Sequence, residues 1–94
     1  MILEQFQLQG RVAMVTGCNT GLGQGMAVAL AQAGADIVGV NVSAPDDTRA
    51  AVEALGRKFQ DLRANLSDTS CLEGIVQQGL NLSGKLDILV NNAG

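Results

Sequence analysis

Hydrophobic positions along the chain fall into short continuous runs that alternate with stretches of helical spacing. RVAMVTG, Arg11 to Gly17, is a compact apolar run that stops at a glycine, which predicts a buried strand. From Gly21 to Ala33, the residues Leu22, Met26, Leu30 and Ala33 recur at intervals of three and four. That spacing predicts a helix with this stripe facing inward, terminated by Gly34. ADIVGVNV, Ala35 to Val42, predicts a second strand, and Pro45 with the two acids of SAPDD suits the opening turn of a second helix. Val52, Leu55 and Ala51 form the expected inner face of that helix, which Gly56 closes. Phe59 to Leu66 predicts a third strand, and its interleaved Gln60, Asp61, Arg63 and Asn65 place it at a sheet edge. Leu72, Ile75, Val76, Gly79 and Leu80 then define a third helix, with Ser70 and Glu73 as a capping box and an end near Gly84. KLDILVNNAG closes the sequence as a fourth strand, apolar on both faces. The resulting β-α-β-α-β-α-β order implies an α/β fold with parallel strands and right-handed helical crossovers.

Composition narrows the function classes. The 94 residues suit at most one domain, and a hydrophobic content of 47% argues for a globular chain. The net charge is −3, with nine acids and six bases scattered along the sequence. No basic patch for a nucleic acid or an anionic membrane is expected, and no apolar run approaches the roughly 20 residues of a membrane span. Cys18 and Cys71 lie far apart and there is no histidine, so neither a zinc site nor a disulfide framework is suggested. A reducing, cytoplasmic setting is the expectation, because MILEQFQLQGR lacks the marks of a secretory signal.

The chemistry-bearing stretch is VTGCNTGLGQG, Val15 to Gly25. Glycines between a parallel strand and a helix let backbone N–H groups approach a phosphate where the helix N-terminus carries partial positive charge. In this reading Gly17 makes the tight turn, Gly21 admits the pyrophosphate, and Gly23 lets helix and strand pack closely. Asn19 and Thr20 add side-chain donors, or are simply good turn residues. The strand, turn, helix and second strand fall within a βαβ unit of about 30 residues, the context a dinucleotide site requires.

TGCNTGLG, Thr16 to Gly23, is spaced T-G-x-x-x-G-x-G, and NNAG, Asn91 to Gly94, follows the fourth strand. Together they resemble the two hallmark motifs of the short-chain dehydrogenase/reductase family, and the resemblance runs through the whole sequence. It implies a Rossmann-type doubly wound sheet in strand order 3-2-1-4, binding a nicotinamide cofactor through Gly17 to Gly23, including Leu22. By the same resemblance Asn92, Ala93 and Gly94 run beside the cofactor's ribose, whereas Asn91 ties the central sheet together. Taken alone, these four residues would be a strand-to-loop exit.

At the end of the second strand an acid ordinarily accepts the adenosine ribose hydroxyls and repels a 2′-phosphate. Here that position is Asn41, followed by Val42. The resemblance implies that an NADP-dependent member would carry a base near Thr20, Val42 or Ser43, and none is present, so NAD is expected over NADP. Where the family reads adenine with an Asp-Val pair, this sequence has Asn65 and Leu66. Asn65 retains an acceptor oxygen for adenine, or is an edge-strand polar group already satisfied. Cys18 is a small turn residue in this reading rather than a redox switch, since no neighbouring residue would lower its pKa.

The wording TGCNTGLGQGMA, with ALGRKF, is similar to the sugar-acid dehydrogenases of that family, which implies a secondary alcohol on a deoxy or keto sugar acid as substrate, and a homotetramer. The family's catalytic Ser, Tyr and Lys have no counterpart in the 94 residues, which contain no tyrosine. The expectation is therefore the N-terminal part of a single domain continuing beyond Gly94, with catalysis downstream. A stand-alone nucleotide-binding module, a member of the same family with a different alcohol or ketone substrate, and a Rossmann-like methyltransferase are the alternatives.

Overall fold

The structure is a computed structural model that describes residues 8–18, 21–64 and 72–92. The elements run β1 (Val12–Thr16), α1 (Gly21–Gln32), β2 (Asp36–Asn41), α2 (Asp46–Ala54), β3 (Phe59–Arg63), α3 (Leu72–Ser83) and β4 (Ile88–Asn91). The four strands form one parallel sheet in the order β3-β2-β1-β4, as the sequence predicts.

Alternation along the strands divides the core in two. Ala13, Val15, Ile37 and Phe59 face α1 and α2, packing with Ala27, Ala31 and Val52. Val12, Met14, Val38, Val40 and Leu62 face the other way, onto Ile75 of α3. Helices thus cover both faces, which is the doubly wound arrangement.

Glycines end the helices where the sequence places them. Gly34 adopts φ 110° and Gly56 φ 78°, conformations costly for other residues. At the first stop the Ala35 amide donates to the Leu30 carbonyl at 3.1 Å, and at the second the Arg57 amide donates to Val52 at 3.3 Å. Asp46 and Asp47 occupy the first turn of α2, favourably placed against the helix dipole.

Two helix faces differ from expectation. In α1 the residues turned to the sheet are Gly23, Ala27 and Ala31, spaced by four; Leu22 is 70% exposed, and Met26 and Leu30 are only half-buried. Close approach to the sheet wins over burial of volume, because a small-residue stripe lets the helix backbone sit near the strands. In α2 the inner pair is Thr48 and Val52, while Leu55, at the C-cap, is 43% exposed. The third strand ends at Arg63 rather than Leu66 among the described residues, and β4 alternates half-buried Ile88 and Val90 with exposed Leu89. The capping box through Ser70 lies outside the described residues.

Candidate functional site

The sheet reverses direction between β1 and β4: the chain winds outward from β1 to β2 and β3, then crosses back to β4 on β1's other side. In open α/β sheets such a switch point leaves a crevice at the carboxyl ends of the strands. The glycine turn lies there. Gly17 leaves β1 with φ 64° and Gly21 enters α1 with φ 59°, so both use backbone freedom that other residues lack. The Gly17 amide donates to the Val40 carbonyl at 2.8 Å, tying the turn to β2.

Gly23 has a distinct reason to lack a side chain. A Cβ there would run into the Gly17 carbonyl oxygen and come within 2.7 Å of Asn92 Nδ2. The first turn of α1 therefore rests directly on the end of β1. At Gly21, by contrast, a Cβ would meet no described residue within 4 Å, so the start of α1 is open there among the described residues. The first turn of α1 also contains no acidic residue, which leaves its unbonded N–H groups free of a competing carboxylate.

Two threonines and two asparagines fix this geometry. The Thr16 hydroxyl accepts from the Asn92 amide at 2.9 Å and donates toward Asn91 Oδ1 at 3.2 Å. Asn92 Nδ2 donates to the Gly17 carbonyl at 3.2 Å. Asn91 thus joins β4 to β1 through Thr16, and Asn92 buttresses the turn itself. From α2, the buried Thr48 hydroxyl donates to the Cys18 carbonyl at 2.6 Å.

Asn41, at the end of β2, is 2% exposed, and its Nδ2 donates to Cys18 Sγ at 3.2 Å. Its Oδ1 is buried with no hydrogen-bond partner among the described residues, an unusual state for a polar atom. Val42, the next residue, is 71% exposed. Burial pushes the Cys18 thiol above its usual pKa despite the Asn41 hydrogen bond, so the sulfur is a neutral packing group.

The structure thus brings together Gly17, Gly21, Gly23, Asn41 and Asn92 at one end of the sheet, with Leu22 and Val42 exposed beside them. Asn19, Thr20, Asn65, Leu66, Ala93 and Gly94 lie outside the described residues. Sequence reasoning missed Thr48 and Gly39. Thr48 carries the helical signal of a residue four before Val52, while Gly39 has no signal within its own strand. A Cβ at Gly39 would stand 2.6 Å from Cys18 Sγ and 2.5 Å from the Phe59 ring. Only the packing of three elements reveals that.

The opposite end of the sheet is held by charge. Asp87 accepts from the Val12 amide at 2.8 Å and pairs with Lys85 at 3.4 Å and Arg11 at 3.5 Å. The Val12 hydrogen bond, then Lys85 and Arg11, hold its carboxyl below the usual range. Among the described residues no group of three or more His, Cys, Asp or Glu could hold a metal, and no helix is long and apolar enough to cross a membrane.

Comparison with known proteins gives the family. Residues 11–94 match the family described as short chain dehydrogenase. The chain is 57% identical over its full length to a 2-dehydro-3-deoxy-D-gluconate 5-dehydrogenase of Dickeya dadantii, of which it spans 37%. Among solved structures, 2-keto-3-deoxy-D-gluconate dehydrogenase from Streptococcus agalactiae superposes with a TM-score of 0.78 at 35% identity. The match covers 97% of this chain and 35% of that one. Carveol dehydrogenase from Mycobacterium avium, solved in complex with NAD, gives a TM-score of 0.82 at 30% identity, covering 94% of this chain and 37% of its own.

Proposed function

The chain belongs to the short-chain dehydrogenase family, and from that premise we propose that it forms the dinucleotide-binding part of an NAD-dependent oxidoreductase acting on a sugar acid. The observation that carries the reading is the turn from Gly17 to Gly23, open at Gly21 among the described residues and pressed onto β1 at Gly23, at the sheet's switch point. The residues fit a dinucleotide. Backbone N–H groups of the turn and of α1 would hold the pyrophosphate, with Asn19 and Thr20 beside them. Asn41 and Val42 would face the adenosine ribose, Asn65 and Leu66 the adenine, and Asn92, Ala93 and Gly94 the ribose on the nicotinamide side.

When bound, the nicotinamide accepts a hydride from a secondary alcohol. Oxidation also requires a base for the hydroxyl proton. The 94 residues hold no tyrosine or histidine, and Lys58 and Lys85 both precede strands at the end of the sheet away from the turn. We infer that the proton acceptor lies outside these residues, as the resemblance to a family with a catalytic Ser, Tyr and Lys implies; the chain spans 37% of its Dickeya dadantii relative. The absence of a base at Thr20, Val42 and Ser43 supports NAD over NADP in this proposal. A sugar-acid substrate is supported by the names of the relatives, of which the chain spans about a third.

The test uses the intact polypeptide. NADH should bind in a fluorescence titration, and NADH should accumulate when NAD is supplied with 2-dehydro-3-deoxy-D-gluconate or 2-deoxy-D-gluconate. Binding without turnover on either acid would refute the substrate, and binding of S-adenosylmethionine in place of NADH would refute the cofactor.

A further inference from the structure

The bases of the chain are unevenly placed relative to the carboxyl ends of the strands. Arg11 precedes β1, Arg57 and Lys58 precede β3, and Lys85 precedes β4, all toward the amino ends. Arg49 lies within α2, its guanidinium 5.7 Å from the centre of the Phe59 ring. Arg63 alone closes a strand at the end where the glycine turn stands, and it is register-paired with Asn41 on β2. Parallel neighbours lie about 4.8 Å apart, so Arg63 is the cation nearest in the sheet to the position that would read the adenosine ribose.

Its side chain lies on the same face. Phe59 packs beneath α1 and α2, and strand alternation puts Asp61 and Arg63 on that side. Gly39, whose missing Cβ points at Phe59 and Cys18, puts Asn41 there too. Arg63 is occupied, however. Its Nε donates to both Asp61 oxygens at 3.1 Å, and its Nη2 donates to Oδ2 at 3.0 Å. Asp61 thus presents both oxygens to a guanidinium that is half exposed. The Asp61 side chain is only 18% exposed, so removing its carboxylate is what frees the guanidinium, and arginine forms strong charge-assisted bonds to phosphate.

We propose that Arg63 and Asp61 set the balance between NAD and NADP in this protein: Arg63 is the group able to take a 2′-phosphate, and Asp61 is the positioning residue that holds it back. The inference rests on the dinucleotide site proposed above. It locates selectivity on the strand beside β2 rather than in the residues that follow Asn41 in sequence. With Arg63 clasped, a 2′-phosphate would meet a neutralised pair and the Asp61 carboxylate; a plain ribose makes no demand on either.

The experiment measures NADH and NADPH dissociation constants on the intact protein and on the Asp61→Asn, Arg63→Gln and doubly substituted variants. Asp61→Asn should raise the affinity for NADPH relative to NADH roughly tenfold, the scale of one charge-assisted hydrogen bond to phosphate. NADH binding should stay within about twofold of wild type, since it reads the fold and the rest of the site. In the double variant the gain should vanish, although the acid is still missing; that separates a direct arginine contact from a general loss of negative charge. Adenosine 2′,5′-bisphosphate should compete with NADH better in Asp61→Asn than in wild type, and AMP equally in both. An unchanged ratio in Asp61→Asn, or a gain that survives Arg63→Gln, would overturn the proposal while leaving the dinucleotide site standing. A wild-type protein that binds neither cofactor would overturn both.

Discussion

The two faces of the sheet are packed on opposite plans. On the α1 side the buried residues that the helix contributes are all small, Gly23, Ala27 and Ala31, while the strands contribute Ala13 and Gly39 beside the larger Val15, Ile37 and Phe59. Beneath α3 the contacts run through volume: Met14, Val38, Val40, Leu62 and Ile75. Both faces exclude water, so burial alone does not explain the difference. The small-residue face belongs to the glycine turn, where α1 must start within contact of β1 for its N–H groups to stand at the switch point. Close approach is a positional requirement there, and side-chain volume is given up to meet it. On the α3 face larger side chains fill most of the contact, and the close approach of Gly79 to Met14 is to a side chain rather than to backbone.

The comparison breaks most severely by removal on the large-residue face. Ile75→Ala empties the centre of the α3 contact and should cost about 2–5 kcal/mol in denaturant unfolding of the intact protein. On the small-residue face addition should do the damage. Gly23→Ala would drive a Cβ into the Gly17 backbone oxygen, which cannot move without the turn, and should cost about 1–3 kcal/mol. Gly79→Ala is the control, since the atoms nearest a Cβ there are the flexible Met14 methyl group and Leu86 side-chain carbons rather than backbone. It should cost less than Gly23→Ala; equal losses would contradict the distinction between backbone and side-chain neighbours.

Leu22→Ala, on the exposed flank of α1, should change stability by no more than about 0.5 kcal/mol. A loss several times larger would restore the stripe that periodicity predicts. The smallest effect belongs to the amino end of the sheet. Because the Asp87 pKa is lowered on folding, its contribution is present above the unfolded carboxyl value near 4 and is lost as pH falls through the folded one. Stability of the wild type should therefore decline more steeply on acidification below about pH 4 than that of Asp87→Asn.

The alternation of elements and the glycine stops at Gly34 and Gly56 were legible because each depends on a local pattern or a single conformational preference, whereas the strand order was implied by the family resemblance. The inner face of α1 was not. Leu22, Met26 and Leu30 carry more hydrophobicity than Gly23, Ala27 and Ala31, and a periodicity weighted by hydrophobicity selects them. The observed face is set by how near the helix must come to β1, which depends on a carbonyl six residues earlier. The site divides in the same way. Gly17 and Gly21 follow from spacing, Asn41 from its place at the end of a strand and Asn92 from the family resemblance, whereas Thr48, Gly39 and the Asp61–Arg63 pair become relevant only when separate elements are laid side by side. Strand register brings Arg63 beside Asn41 across 21 intervening positions, and no window along the chain holds both residues in one motif.

The central claim is that α1 is held against β1 at Gly23 in order to build a dinucleotide turn, and calorimetric titration of NADH into the intact wild-type and Gly23→Ala proteins tests it most directly. The account predicts saturable one-site binding in the wild type and at least about a tenfold loss in the variant under conditions where both are folded, the scale of one displaced charge-assisted contact. Equal NADH affinity in the two folded proteins would contradict it.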